Sequence, residues 1–290
     1  MEDDSEPALD PMPSGDEGPP RGGLPSPAEE ALAEAEERAR RWARRGVLAA
    51  LPVALALGVA GAPWVDVLLL PVLLVTLPAF AVAQACLLGV VEVERLPAYL
   101  SSILAMGVLA GCCLAAAAFR GDGGSLMSFL GVVAVSPGEL VGWSAALTAS
   151  GLALMGLFRV GAGWFGLREQ PFLQTLLPRS AAEKTAFLGV SLSAGVGEEL
   201  VFRGYVLGAL VPLVGVPWAV GLSSTSFGVI HAYQGWVGFL RTGLLGGLLA
   251  WGYLASGSLL PAMVAHTLLD VVAGIFLGDV LMVPDDDSRV

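Results

Sequence analysis

Only two histidines occur in the 290-residue chain, His231 and His266, and both lie in apolar surroundings near its carboxy-terminal end. The same stretch holds Glu198, Glu199 and Arg203 in one apolar run, Arg241 in another and Asp270 in the last. An ionised side chain at a bilayer centre costs about 2.5–3.5 kcal/mol on insertion scales, so such residues need a reason to be there. Spacing suggests one shared site. Positions four apart share a helix face, so Glu199 and Arg203 can pair and offset the cost of burying both. Glu198 points about 100° away and is left for water or a metal. Phe227 and His231 share a face, as do His266 and Asp270, and the second pairing lets a carboxylate fix an imidazole's tautomer and orientation. A carboxylate base, an imidazole holding the same water and a second polar pair for a developing oxyanion amount to the equipment for hydrolysis. No lysine, cysteine or serine is comparably placed as a nucleophile. Thr225 and Ser226 precede His231 closely, but such hydroxyls more often satisfy backbone carbonyls.

The elements that position these residues are membrane helices. Apolar residues make up 55% of the chain and charged residues 14%, well below the quarter or so usual in soluble proteins. The net charge of -11 comes largely from acids in the first 37 residues and so describes a tail. Residues 1–28, rich in Pro, Gly, Ser and acids, are expected to be disordered. Residues 29–45 read as an amphipathic juxtamembrane helix capped by Ser26, acidic early (Glu29, Glu30, Glu34, Glu36, Glu37) and basic late (Arg38, Arg40, Arg41, Arg44, Arg45). The arginines abut an apolar run and mark the cytoplasmic side.

A span needs about 20 apolar residues. On that criterion the chain is an all-α polytopic membrane protein with about eight transmembrane helices, near 46–62, 65–90, 97–118, 140–158, 185–210, 213–230, 236–255 and 257–278. Residues 46–180 form the amino-terminal helices and a cytoplasmic loop at 159–184, 181–280 the catalytic core, and 281–290 an acidic tail. Gly195 and Gly197 interrupt one long stretch, and residues 126–136 are too short to span, which predicts an interfacial or re-entrant segment. Arg120 is the main loop residue on the wrong side for the positive-inside rule. The first apolar run follows a polar leader, so no cleavable signal peptide is expected at the start of this sequence. One lysine, no asparagine and abundant Ala, Gly, Arg and Pro suggest a GC-rich bacterial source and an inner-membrane location with a cytoplasmic amino terminus.

Three ordered segments carry a more specific signal: Glu198-Glu199-Leu200-Val201-Phe202-Arg203-Gly204, then Phe227-Gly228-Val229-Ile230-His231, then His266-Thr267-Leu268-Leu269-Asp270. They resemble the motifs of the CAAX-processing and bacteriocin-processing (CPBP, or Abi) intramembrane proteases. That resemblance, over about 180–278, implies an eight-helix glutamate-dependent endopeptidase. The matches of Glu198 and His231 would activate water, those of His266 and Asp270 would stabilise the oxyanion, and Glu199, Arg203 and Phe227 would support the site. Its commonest pattern has asparagine at the position of Asp270. An ionised aspartate cannot donate to an oxyanion, so either Asp270 carries a proton or it orients His266 and leaves the imidazole as donor. Members have been described both as metalloenzymes and as metal-free glutamic proteases. The expected cofactor is therefore none or one divalent metal, zinc being the candidate with Glu198, His231 and His266 as ligands, although HExxH spacing is absent.

Other signals carry less. Gly161–Gly166 matches GxGxxG but follows a membrane helix instead of a strand and is expected to be a loop. Cys86, Cys112 and Cys113 lack metal or disulfide spacing. The Gly204/Gly208 and Gly243/Gly247 pairs read as close helix-packing positions. The expected partners are the lipid bilayer and a membrane-associated protein or peptide substrate; no nucleic acid is expected. A proton- or ion-coupled transporter using the same buried groups is the competing reading, weakened by the lack of an internal repeat, and an inactive scaffold is a third.

Overall fold

The computed structural model describes residues 26–88, 90, 93–120, 125–166, 170 and 172–278. Residues 1–25 and 281–290 of the acidic tails, and Arg168 of the loop expected at 159–184, lie outside the described residues; Pro27 and Ala28, expected in the disordered tail, already belong to the first helix. Every regular element among the described residues is helical. Three of the helices start on the same device. Ser26, Ser136 and Ser180 each accept from the backbone of a glutamate three residues on, while Glu29, Glu139 and Glu183 reach back to the cap. These capping boxes open α1 (Pro27–Val59), α6 (Pro137–Phe165) and α8 (Ala181–Glu199).

Six helices are long and apolar enough to cross a membrane: Pro27–Val59, Trp64–Ala85, Arg95–Phe119, Pro137–Phe165, Ala181–Val214 and Ala232–Ser256. Two more apolar helices, Val216–Ile230 and Leu260–Phe276, fall short of that length. Together with the apolar side chains that face outward, such as Leu55, Leu104, Val141 and Leu157, these helices mark an integral membrane protein. The juxtamembrane segment and the first apolar run form one helix, α1, whose polar half carries the i,i+4 pairs Glu34–Arg38, Glu36–Arg40 and Glu37–Arg41.

Three rods contain π turns. α2 (Trp64–Pro71) and α3 (Leu77–Ala85) are joined through Val72–Thr76, and α8 runs through Leu200–Val206 into α9 (Leu207–Val214). α12 (Leu260–Val271) ends in a third, Val272–Phe276. α8 lies between α4 (Arg95–Phe119) and α12, and α10 (Val216–Ile230) packs on α11 (Gly235–Ser256) and α3.

Several sequence expectations need correction. Gly195 and Gly197 do not interrupt their helix; the rod is continuous over Ala181–Val214 and its irregularity is the π turn that follows. Gly161–Phe165 is the end of α6, which continues past the expected boundary to a left-handed cap at Gly166, so Arg159 is helical and lies outside the loop. Residues 126–133 enter the bundle: after α5 (Leu126–Phe129), Leu130 is fully buried and the Gly131 carbonyl accepts from the Leu259 amide at 2.8 Å. Gly204 and Gly208 let that segment approach, since a Cβ on them would stand 3.0 Å from the Leu130 carbonyl and 3.2 Å from that of Phe129.

Candidate active site

α8 delivers two consecutive glutamates at its last turn, and both are buried. Glu199 Oε1 accepts from Arg203 Nη1 at 2.8 Å, and neither side chain has any exposure. This is the i,i+4 pair expected from sequence, held although Arg203 lies within the π turn. The same oxygen is 2.8 Å from His266 Nδ1 on α12. That second contact requires α8 and α12 to approach closely, and glycine permits it. A Cβ at Gly195 would sit 2.7 Å from the Thr267 amide nitrogen and 2.9 Å from the Met263 carbonyl.

His231 caps the end of α10, where its Nδ1 lies 2.8 Å from the Phe227 carbonyl. A carbonyl only accepts, so the contact puts the Nδ1 proton there and turns Nε2 toward Glu198. The Phe227 ring forms the floor. Its centroid lies 4.9 Å from the His231 ring and 5.9 Å from the His266 ring, and the Arg203 guanidinium stands 4.2 Å over it. Gly246 of α11 makes room for that guanidinium, because a Cβ there would be 2.7 Å from Arg203 Nη2.

Glu198 Oε2 lies 4.0 Å from His231 Nε2 and 3.8 Å from His266 Nε2. Both separations exceed a hydrogen bond yet suit one shared water at about 2.8 Å from each partner. Glu198 Oε2 has no hydrogen-bond partner among the described residues, and neither do Glu199 Oε2, Arg203 Nε or Arg203 Nη2. Buried polar atoms are nearly always paired, so four orphans in one cluster mark a place built for something besides folding.

Asp270 stands differently from its sequence expectation. Its Oδ2 is 3.8 Å from His266 Nε2, beyond bonding distance, while the carboxylate that bonds His266 is Glu199 of the neighbouring helix. The short aspartate does not close the distance even from one turn away. As for metal, no group of three His, Cys, Asp or Glu side chains among the described residues is arranged to hold an ion. Of the proposed ligands Glu198, His231 and His266, the glutamate oxygen stands 4.0 and 3.8 Å from the two imidazole nitrogens, wider than the roughly 3.4 Å between tetrahedral ligands at about 2 Å from zinc. The residues therefore do not fit the group.

The π turns were not legible from sequence, and with them went two groups of residues. Ser223 donates to the Phe202 carbonyl and Ser226 to the Leu73 carbonyl, each at 2.8 Å, so α10 holds two π turns at once. Ser226 thus satisfies a carbonyl as expected, though one on another helix. Beside His231, the turn Ala232–Gln234 presents Tyr233, whose ring lies 5.8 Å from that of His231. Gln234 donates to Tyr233 and accepts from Arg241 at 3.2 Å and Thr242 at 3.3 Å, so Arg241 belongs to a network at the rim of the site.

Comparison with known proteins identifies the region that holds this cluster. Residues 181–272 match the family described as type II CAAX prenyl endopeptidase Rce1-like, which bears out the resemblance drawn from the three motifs. No match was found among curated proteins or among solved structures.

Proposed function

We propose that this chain, with a type II CAAX endopeptidase-like core, is an intramembrane endopeptidase that hydrolyses a peptide bond with water activated by Glu198 and His231. The observation that carries the reading is the unbonded Glu198 Oε2, set 4.0 and 3.8 Å from two imidazole nitrogens inside the family-matched region. A water donating one hydrogen to Glu198 and the other to His231 Nε2 keeps its lone pairs for a carbonyl carbon. Glu198 takes the proton as the C–O bond forms and returns it to the leaving amine as the C–N bond breaks. His266, held through Nδ1 by Glu199, presents Nε2 to the oxyanion; when it carries a proton there, its positive charge is balanced by the Glu199 carboxylate behind it. Arg203 and Phe227 hold Glu199 and the two rings in place. No step passes through a metal.

The substrates are membrane-associated proteins or peptides. Prenylated CAAX ends, leaders and carboxy-terminal sorting segments are the classes to test, the first because the matched family is named for it. The two shorter apolar helices complete eight crossings, with the amino terminus cytoplasmic in a bacterial inner membrane. At 1.5 Å per residue, Val216–Ile230 is about 22 Å long, so the bilayer thins beside the site.

The test compares membrane and secreted proteomes of cells carrying the wild-type chain or Glu198→Ala. Uncleaved precursors should accumulate only with the variant. An unchanged proteome from a stably inserted variant, together with loss of proton or ion flux in vesicles, would transfer the same residues to transport.

A further inference from the structure

A second set of buried charged groups lies on the opposite side of the Glu199–Arg203 helix, in no motif and outside the chemistry above. Asp66, at the start of α2, has no exposure; its Oδ1 accepts from Tyr205 Oη at 2.7 Å and its Oδ2 from Arg120 at the end of α4. The Arg120 guanidinium also stands 4.4 Å over the Phe129 ring, which packs edge-on against Tyr205 at 5.9 Å. Tyr205 belongs to the π turn Leu200–Val206, two residues after Arg203 and so on nearly the opposite face.

A π turn holds its carbonyls in weaker register than an α-helix and persists only where surroundings support it. This one has support on several sides. Ser223 binds its Phe202 carbonyl, the backbone of Leu130 presses on Gly204, and Tyr205 is tied to Asp66. Relaxation to regular α-helix would rotate the residues after the turn by about 100° relative to Glu198 and Glu199. The Arg203–Glu199 and Tyr205–Asp66 contacts could not then both survive.

We propose that the Asp66–Arg120–Tyr205 cluster is a positioning device for the hydrolytic site: it clamps the π turn from behind and so fixes the direction in which the Arg203–Glu199 pair presents Glu199 to His266. The inference rests on the endopeptidase reading for its kinetic consequence but not for its structural one. Asp66, Arg120 and Tyr205 are positioning residues that need not touch substrate.

Tyr205→Phe removes one hydroxyl and leaves the ring, so it tests the clamp with the core still filled. Ser258→Ala is the control, because Ser258 is equally buried and its hydroxyl is also hydrogen-bonded, donating to the Val133 carbonyl at 2.6 Å and accepting from the Leu260 amide at 3.3 Å. The two histidines make a direct readout practical, since histidine-selective ¹⁵N labelling in detergent reports only His231 and His266. The second readout is cleavage of an internally quenched farnesylated CAAX peptide in liposomes. Tyr205→Phe should shift the His266 resonances and lower kcat about tenfold with KM within about twofold, the scale of one misplaced hydrogen bond. Ser258→Ala should do neither. Unmoved His266 resonances in folded Tyr205→Phe would overturn the proposal, as would the same shift in Ser258→Ala. If the wild-type chain does not cleave this peptide, the CAAX substrate class fails and the proteome comparison decides the endopeptidase reading, while a His266 shift specific to Tyr205→Phe still upholds the clamp.

Discussion

Two clusters of ionisable side chains lie back to back across one helix and are satisfied to very different degrees. In the Asp66–Arg120–Tyr205 cluster both aspartate oxygens are bonded, one to the tyrosine and one to the arginine. In the Glu198–Glu199–Arg203–His231–His266 cluster, Glu198 Oε2, Glu199 Oε2 and two Arg203 nitrogens have no partner among the described residues. Burial does not separate them, since Asp66, Glu199 and Arg203 are all fully enclosed. Leaving a buried polar atom unmade costs about 1–3 kcal/mol, more when charged. A cluster closed on itself recovers that cost in folding, whereas an open one recovers it only when water or substrate completes it. The open cluster is therefore where chemistry belongs, and the closed one is its support.

The largest effect expected from breaking this contrast is at Glu198. Glu198→Gln keeps size and burial but removes the base, and should lower kcat by about 10²–10⁴-fold while leaving thermal stability in detergent unchanged. Glu198 Oε2 has no hydrogen-bond partner among the described residues, so the substitution breaks no bond there that folding depends on. A variant that loses stability along with activity would place Glu198 in the structural class and erase the distinction. Next comes Glu199, which is bonded to both Arg203 and His266. Glu199→Ala leaves a fully buried guanidinium uncompensated and should cost about 3–5 kcal/mol, read as a lowered melting temperature. Neighbouring glutamates should thus fail in different ways.

This difference also shows what the sequence could and could not disclose. Histidine scarcity and the Glu-Glu-x-x-x-Arg spacing placed Glu198, Glu199, Arg203, His231 and His266 together, because buried charges in lipid are rare and helix geometry is regular. The Arg203–Glu199 pair followed from i,i+4 spacing alone. The Glu199–His266 bond did not, since it depends on how closely α8 and α12 approach, and Gly195 read only as an interruption. Asp66 was missed because it stands at the edge of an apolar run, where a carboxylate looks solvated. Arg120, taken as a loop residue that broke the positive-inside pattern, pairs with Asp66 across 54 positions. The three π turns leave no local signature, as they arise from tertiary contacts such as Ser223 with Phe202 and Ser226 with Leu73.

That last contact supplies a smaller prediction. Ser226→Ala removes a single hydrogen bond to a π-turn carbonyl and should cost about 1 kcal/mol in detergent denaturation, with kcat little changed because Leu73 belongs to the π turn Val72–Thr76 and not to the one that carries Arg203. A fall in kcat as large as that of Tyr205→Phe would mean that both π turns, and not only Leu200–Val206, set the geometry of the site.

The smallest expected effect is the most informative about Asp270. An aspartate that oriented His266 would be needed in its charged form, and Asp270→Asn would cost activity. The structure gives that orienting bond to Glu199 at 2.8 Å and leaves Asp270 Oδ2 at 3.8 Å from the opposite ring nitrogen. Asparagine there keeps the shape, restores the residue of the commonest pattern and adds an N–H that can reach an oxyanion. Asp270→Asn should therefore retain kcat within about threefold, less than the one hydrogen bond's worth that corresponds to roughly tenfold. It should also flatten whatever part of the pH–rate profile follows the Asp270 carboxyl. A loss beyond a hundredfold, with fold and His266 resonances intact, would show that the aspartate acts in its own right and that this site has departed from the motif it resembles.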